Sequence, residues 1–307
     1  MTPLLDWGIE VILRWQRFSP TLDTPFRVLT WTGGAAFYIL LLPLLYWLVD
    51  RSTALRLTLL FLASAYLNAV AKALLAQPRP FEYDPRVLML SSATGGGLPS
   101  GHAQNAVVLW GYLALRWKKR PFTALAVALI VLVSLSRVYL GVHFPTDILG
   151  GWLLGALCLT LFWRYQGTLA ALWGRLPFGA QIGGGFFLPA VLLTLYTEPT
   201  GDAFIAAAAL AGMAGALPLE RRWVRFRRVR WGWPVVASLA IGLGGVALLY
   251  LGPKALLGEV ASLAIPRFLR YSALGAWVIF GAPWAMARLR LAVLDTPCSV
   301  CDNSQGM

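Results

Sequence analysis

The chain has 307 residues, of which 58% are hydrophobic and only 13% charged, with a formal net charge of +13. A soluble domain carries about 25% charged residues, so lipid is the solvent for most of this chain. The 26 Lys and Arg residues stand in short clusters between apolar runs, the pattern of membrane-protein loops rather than of a nucleic-acid surface, so no nucleic-acid partner is expected.

Residues 3–18 read as an amphipathic helix, capped by Thr2 and started by Pro3. Asp6, Glu10, Arg14 and Arg17 share one face, while Leu5, Ile9, Ile12, Trp15 and Phe18 fall elsewhere. The helix is too short and too charged to cross a bilayer and is expected in its interface. Asp6 and Glu10 also interrupt any run that would serve as a cleavable signal peptide. Nine spans follow, at residues 28–49, 53–75, 101–117, 121–138, 146–163, 178–197, 203–219, 232–252 and 269–287. Several fall short of the roughly 20 residues that a span needs, a deficit flanking Arg and Lys make up by snorkelling. Gly151 and Gly155 form a GxxxG that permits close helix packing. The expected fold is thus all-α, a polytopic membrane bundle of about nine transmembrane helices plus the interfacial helix. Its expected parts are an interfacial helix at 1–26, a core at 27–165, a four-span extension at 166–290 and a cytoplasmic tail at 291–307.

Sixteen of the 26 basic residues lie on the side of the 50–56, 116–120, 164–175 and 220–230 loops and the C-terminus. That side is expected to be cytoplasmic, the run from Arg221 to Arg230 serving as a topology anchor. Binding of anionic lipid at that run is an alternative reading. Of the three cysteines, Cys158 lies in an apolar run, and Cys298 and Cys301 form a CxxC that reads as part of the tail.

Chemistry gathers on the other side. The only two histidines, His102 and His143, fall there with three charged segments. These are Lys72 to Arg79-Pro80, then Pro99-Ser100-Gly101-His102 at the start of the third span, then Ser136-Arg137 to His143 and Asp147 between the fourth and fifth. Ionisable groups near a membrane core are expensive and usually functional. Lys72, Arg79 and Arg137 are three cations suited to a phosphate, which arginine grips in bidentate fashion. Ser100 and Gly101 sit at a helix start, where free N–H groups and the helix dipole favour an anion. His143 has Asp147 four residues on, across Pro145. A carboxylate on one ring nitrogen fixes the tautomer and leaves the other as nucleophile. His102, with no carboxylate nearby in sequence, suits the acid role. No Cys/His cluster or carboxylate cage accompanies these groups, so no metal and no cofactor is expected.

The three segments resemble the signature of the type-2 phosphatidic acid phosphatase superfamily, which also includes vanadium haloperoxidases. The pattern KxxxxxxRP, PSGH, SRxxxxxHxxxD is met at every position, and the resemblance covers residues 27–165. It implies His143 as nucleophile, Asp147 as its partner and His102 as general acid, with Lys72, Arg79, Ser100, Gly101 and Arg137 holding the phosphate and no metal required. The implied enzyme is a phosphatase of membrane lipid phosphates or diphosphates; the Lys/Arg topology places its site on the periplasmic or extracellular face, and a bacterial inner or plasma membrane is expected. The nine-span layout is similar to that of the glucose-6-phosphatase branch, which keeps a sugar phosphate open as substrate. A phosphotransferase would use the same phosphohistidine. An oxidoreductase is disfavoured by the spans, and a non-catalytic transporter or scaffold by the intact motif. The last four spans offer no charged intramembrane pair, and are read as a lipid access route or a homodimer surface. The stretch Val87-Leu88-Met89-Leu90 between the first two motif segments reads as a short interfacial helix or, less favoured, a hydrophobic lip.

Overall fold

The computed structural model describes residues 3–195 and 201–295. Thr2, most of the 198–202 loop and the Cys298/Cys301 pair lie outside the described residues. The fold is built of helices: α1 (Pro3–Gln16), α2 (Asp23–Trp31), α3 (Ala35–Leu44), α4 (Arg51–Leu75), α5 (Pro80–Tyr83), α6 (Gly101–Trp117), α7 (Arg120–Tyr139), α8 (Pro145–Arg175), α9 (Phe178–Leu195), α10 (Asp202–Leu219), α11 (Trp233–Leu257), α12 (Ala264–Ala276) and α13 (Ala282–Arg288). Among the described residues six helices are long and apolar enough to cross a membrane, or seven with one bent pair counted as a single span. The chain is an all-α polytopic membrane protein, but the count of nine is not reached among the described residues. The third expected span is α6, only 17 residues long. The ninth is broken into α12, a π turn at Trp277–Gly281 and α13.

The uncharged run at 28–49 is likewise no straight helix. It breaks at residues 32–34, where α2 and α3 meet at 47°. Two consecutive glycines, Gly33 and Gly34, lie at that break, where helix propensity is lowest. Residues 84–100 contain no helix, which corrects the favoured reading of Val87–Leu90. Its backbone groups are taken up otherwise. The buried Gln16 side chain donates to the Leu88 carbonyl at 2.8 Å and accepts from the Leu88 N–H at 2.9 Å, while the Leu90 N–H donates to Leu140 O at 3.1 Å.

The chain divides into two compact units. One comprises Met1–Pro43, Thr53–Arg175 and Val191–Ala207. Here α1 spends Ile9 and Ile12 on protein contacts, packing them with Val87, Ala103, Val138, Phe144 and Ile148. Each buried isoleucine contributes on the order of 2 kcal/mol. Helix α6 packs against both α7 and α8. A Cβ at Gly151 would meet the Ser100 carbonyl oxygen at 2.5 Å, and one at Gly155 the Gln104 carbonyl oxygen at 2.9 Å. The GxxxG of α8 therefore brings two backbones together, and one of its contacts is the residue that starts α6. Trp152 Nε1 donates to Ser134 Oγ at 2.8 Å and ties α8 to α7.

The other unit comprises Leu44–Ser52, Leu176–Ala190 and Ala208–Met307. Glu220, fully buried, pairs with Arg51 and accepts the Phe226 N–H at 2.8 Å, while Arg51 donates to Phe226 O at 2.9 Å. A buried charge survives only when paired and hydrogen-bonded in this way. This pair was not anticipated, because the acid hides beside a run of arginines. That run forms a π turn and then strand β1 (Phe226–Val229), which pairs antiparallel with β2 (Ala292–Leu294), an unexpected piece of sheet. Phe226 and Val229 are buried and Arg227 and Arg228 exposed, a departure from strict alternation that goes with the irregular register between Phe226 and Arg228.

Gly151→Leu should destabilise the protein by about 1–3 kcal/mol, since the close-packed site has no room. Gly167→Leu, with nothing within 4 Å of its Cβ, is the matched control on the same helix. Thermal unfolding in detergent should show a lowered Tm for the first and an unchanged one for the second. Equal shifts would contradict the packing role.

Candidate active site

The three charged segments converge at the ends of α4, α6, α7 and α8. Asp147, on the first turn of α8, is fully buried and joins them. Its Oδ2 accepts the Phe144 N–H at 2.9 Å and lies 3.1 Å from His143 Nδ1. Its Oδ1 accepts from Gln77 Nε2 at 2.7 Å, and its carbonyl oxygen from the Ser100 N–H at 2.9 Å. Gly97 makes this approach feasible, because a Cβ there would sit 3.1 Å from Asp147 Oδ2. One residue thus touches all three motif segments.

With Nδ1 turned to the carboxylate, His143 presents Nε2 to the other side, 3.5 Å from Arg79 Nη1. Arg79 is buried and held on three sides. Nε donates to Gly95 O at 2.8 Å, Nη2 to Thr94 O at 2.6 Å and Nη1 to Val142 O at 2.9 Å. Its own N–H donates to Glu82 Oε2 at 2.8 Å, closing the first turn of α5. Arg137, at the end of α7, donates to Thr30 Oγ1 at 2.5 Å and reaches Ser91 Oγ at 3.5 Å, while its Nε has no partner among the described residues. Ser100 Oγ is likewise buried and unpartnered. Gly101 opens α6 beside Asn68. His102, next on α6, lies against the break at 32–34, where a Cβ on Gly33 would come 2.8 Å from its ring. Lys72 closes the last turn of α4.

Burial pushes the His143 pKa well below its usual value, and the positive charges of Arg137, Lys72 and Arg79, with His102, push the same way. The imidazole is therefore neutral at neutral pH and its Nε2 lone pair is available. Cations that repel a proton also attract an anion, so a neutral nucleophile stands among groups that suit phosphate. Among the described residues no three His, Cys, Asp or Glu side chains gather as a metal-ligand set.

Sequence reasoning missed several contributors. Gln77 lies between Lys72 and Arg79 and holds the carboxylate of Asp147. Thr30 comes from α2 and holds Arg137. Below the site, Asn68 Nδ2 donates to Gln104 Oε1 at 2.7 Å, and Gln104 Nε2 donates to Ser64 O and Oγ. A polar residue inside an apolar span is the signal for Asn68 and Gln104. Thr30 and Gln77 carry none, because threonine and glutamine near a span end are unremarkable.

A family model described as the PAP2 superfamily matches residues 53–170, and one described as PAP2 superfamily phosphatase, transmembrane extension, matches residues 204–293. The chain is 34% identical to the lipid phosphate phosphatase delta of Arabidopsis thaliana over 171 residues, 50% of this chain and 41% of the relative. It therefore spans less than half of that protein's length. It is 32% identical to phosphatidylglycerophosphatase B of Bacillus subtilis over 156 residues, 47% of this chain and 74% of the relative. The crystal structure of a transmembrane PAP2-type phosphatidylglycerolphosphate phosphatase from Bacillus subtilis aligns with a TM-score of 0.45 at 28% identity, covering 54% of this chain and 88% of that one. Asp147 touches all three motif segments, and on the two family-model matches and the similarity to phosphatidylglycerophosphatase B the chain belongs to the PAP2 superfamily.

Proposed function

We propose that the protein is an integral-membrane phosphohydrolase that removes phosphate from a lipid phosphate or diphosphate without a metal, through a phosphohistidine at His143. The observation that carries this reading is the His143–Asp147 contact, which commits Nδ1 and leaves Nε2 facing the arginine cluster. In the first step the Nε2 lone pair forms a bond to phosphorus, and the bond from phosphorus to the leaving oxygen breaks. His102 gives that oxygen its proton. Lys72, Arg79, Arg137 and the N–H groups at Ser100 and Gly101 stabilise the charge gathering on the equatorial oxygens. Asp147 stabilises the imidazolium that forms. In the second step His102 takes a proton from water, whose oxygen displaces His143 and frees inorganic phosphate.

A lipid substrate is supported by the site's place at the ends of membrane helices and by relatives named for lipid phosphate and phosphatidylglycerophosphate. The Lys/Arg asymmetry supports placing the site on the non-cytoplasmic face, with the C-terminus in the cytoplasm.

Purified protein in detergent with a chelator present should release phosphate from phosphatidate, phosphatidylglycerol phosphate or a sphingoid-base phosphate. Glucose 6-phosphate should be a poor substrate. His143→Ala should lower the rate by roughly a thousandfold or more. Release that survives in the variant, or that needs a divalent metal, would overturn the mechanism. A preference for glucose 6-phosphate would overturn the substrate class, and phosphate appearing on an added alcohol in place of water would mark a transferase.

The neutral state of His143 also fixes a sign. Its pKa in the folded protein lies below the ordinary value of about 6.5, so below that pH the unfolded chain binds a proton that the folded one refuses. Its contribution to stability is complete above about pH 6.5 and is lost progressively as the pH falls from there towards the lower pKa of the folded protein. Tm should drop between about pH 7 and pH 5, and the drop should be shallower in His143→Gln. Identical profiles would contradict a depressed pKa.

A further inference from the structure

From a cluster in the unit that contains α11 and α12 we infer a second anion site, which takes the phosphate of an anionic membrane lipid and is independent of the catalytic reading. Its centre is Arg270 on α12, which is 5% exposed. The guanidinium lies 4.9 Å from the ring centroid of Tyr271 and 5.8 Å from that of Tyr250 on α11. The two rings meet edge to face at 6.4 Å and form an aromatic corner. Lys254 Nζ sits 5.7 Å from the same Tyr250 ring. Arg267 opens the same turn of α12.

Two features point to a ligand. Arg270 Nε and Nη1 are buried and have no hydrogen-bond partner among the described residues, so two donors of the guanidinium fork are unused. None of the ion pairs among the described residues places a carboxylate on Arg270 or Lys254. Glu259, on the turn that joins α11 to α12, is exposed. Cation–π contacts offset part of the cost of a buried guanidinium, but they leave Nε and Nη1 unsatisfied. An anion at the guanidinium satisfies those donors and offsets its buried charge. A phosphate oxygen pair matches the fork.

The site is held rigidly. A Cβ on Gly212 would overlap the Ser272 carbonyl, and Ser272 Oγ donates to Ala208 O at 2.9 Å, so α12 lies directly on the backbone of α10. The lipid source is favoured over free phosphate because α11 is among the membrane-crossing helices and both aromatic rings contact the guanidinium. Tyrosine is a residue of membrane interfaces, with an apolar body and a polar tip.

The test is photolabelling of the full-length protein in detergent with a diazirine-bearing phosphatidylglycerol, followed by peptide mapping. This lipid is a phosphodiester with no terminal phosphate to release, so the outcome does not depend on turnover. Label should appear on the segment from Tyr250 to Tyr271. Phosphatidylglycerol should displace it at about a tenfold lower concentration than phosphatidylcholine, a gap of about 1.4 kcal/mol. Arg270→Gln should reduce this label about fivefold or more, the loss of a charge-assisted contact, while label elsewhere, including residues 221–230, is unchanged. Equal displacement by phosphatidylcholine in the wild-type protein, or undiminished label in Arg270→Gln, would overturn the site. Displacement by inorganic phosphate at equal concentration would overturn the lipid assignment. The wild-type competition decides the matter by itself if Arg270→Gln does not fold.

Discussion

The carboxylate of Asp147 is the constraint on which the site depends. A buried carboxylate must be hydrogen-bonded or paired, and here its two oxygens meet a backbone N–H, a glutamine amide and an imidazole. The carbonyl of the same residue binds the N–H of Ser100. Satisfying one buried acid therefore draws together the end of α4, the start of α6 and the turn between α7 and α8. The proposed order of events rests on that geometry: Nδ1 is committed to the carboxylate, Nε2 faces Arg79, and the start of α6 is tied to Asp147.

The surrounding helices serve this arrangement by close approach. Gly151 lets α8 touch the carbonyl of Ser100, so that the residue starting α6 is held from both its N–H and its C=O. Gln16 of α1 binds Leu88 and also donates to the Tyr139 carbonyl at 3.1 Å, bracing the loop that supplies Thr94 and Gly95 to Arg79. The N-terminal helix is thus a structural part of the site's frame as well as an amphipathic element.

Much of this was legible because it rests on local patterns. Long uncharged runs mark α4, α7, α8 and α11, and the pairing of His143 with Asp147 is a four-residue relation across a helix start. The errors have physical causes of other kinds. Hydropathy sees no difference between a straight helix and one broken at Thr32–Gly34, because that break is set by backbone propensity and by the His102 ring packed against it. Non-local partners leave no spacing signal: the match of Thr30 to Arg137 spans 107 residues and that of Arg51 to Glu220 spans 169. The strand pair was hidden because its inward residues, Phe226 and Val229, stand among arginines that read as a loop.

The most direct test of the account is to trap the covalent intermediate. In His102→Ala the second step lacks its base, so turnover of a labelled nitrophenyl phosphate, whose leaving group needs no acid, should leave phosphate on the protein. The account predicts acid-labile, alkali-stable label on the peptide that contains His143, bonded at Nε2. Label on any other residue, or phosphate release with no trapped intermediate under rapid quench, would contradict His143 as the nucleophile.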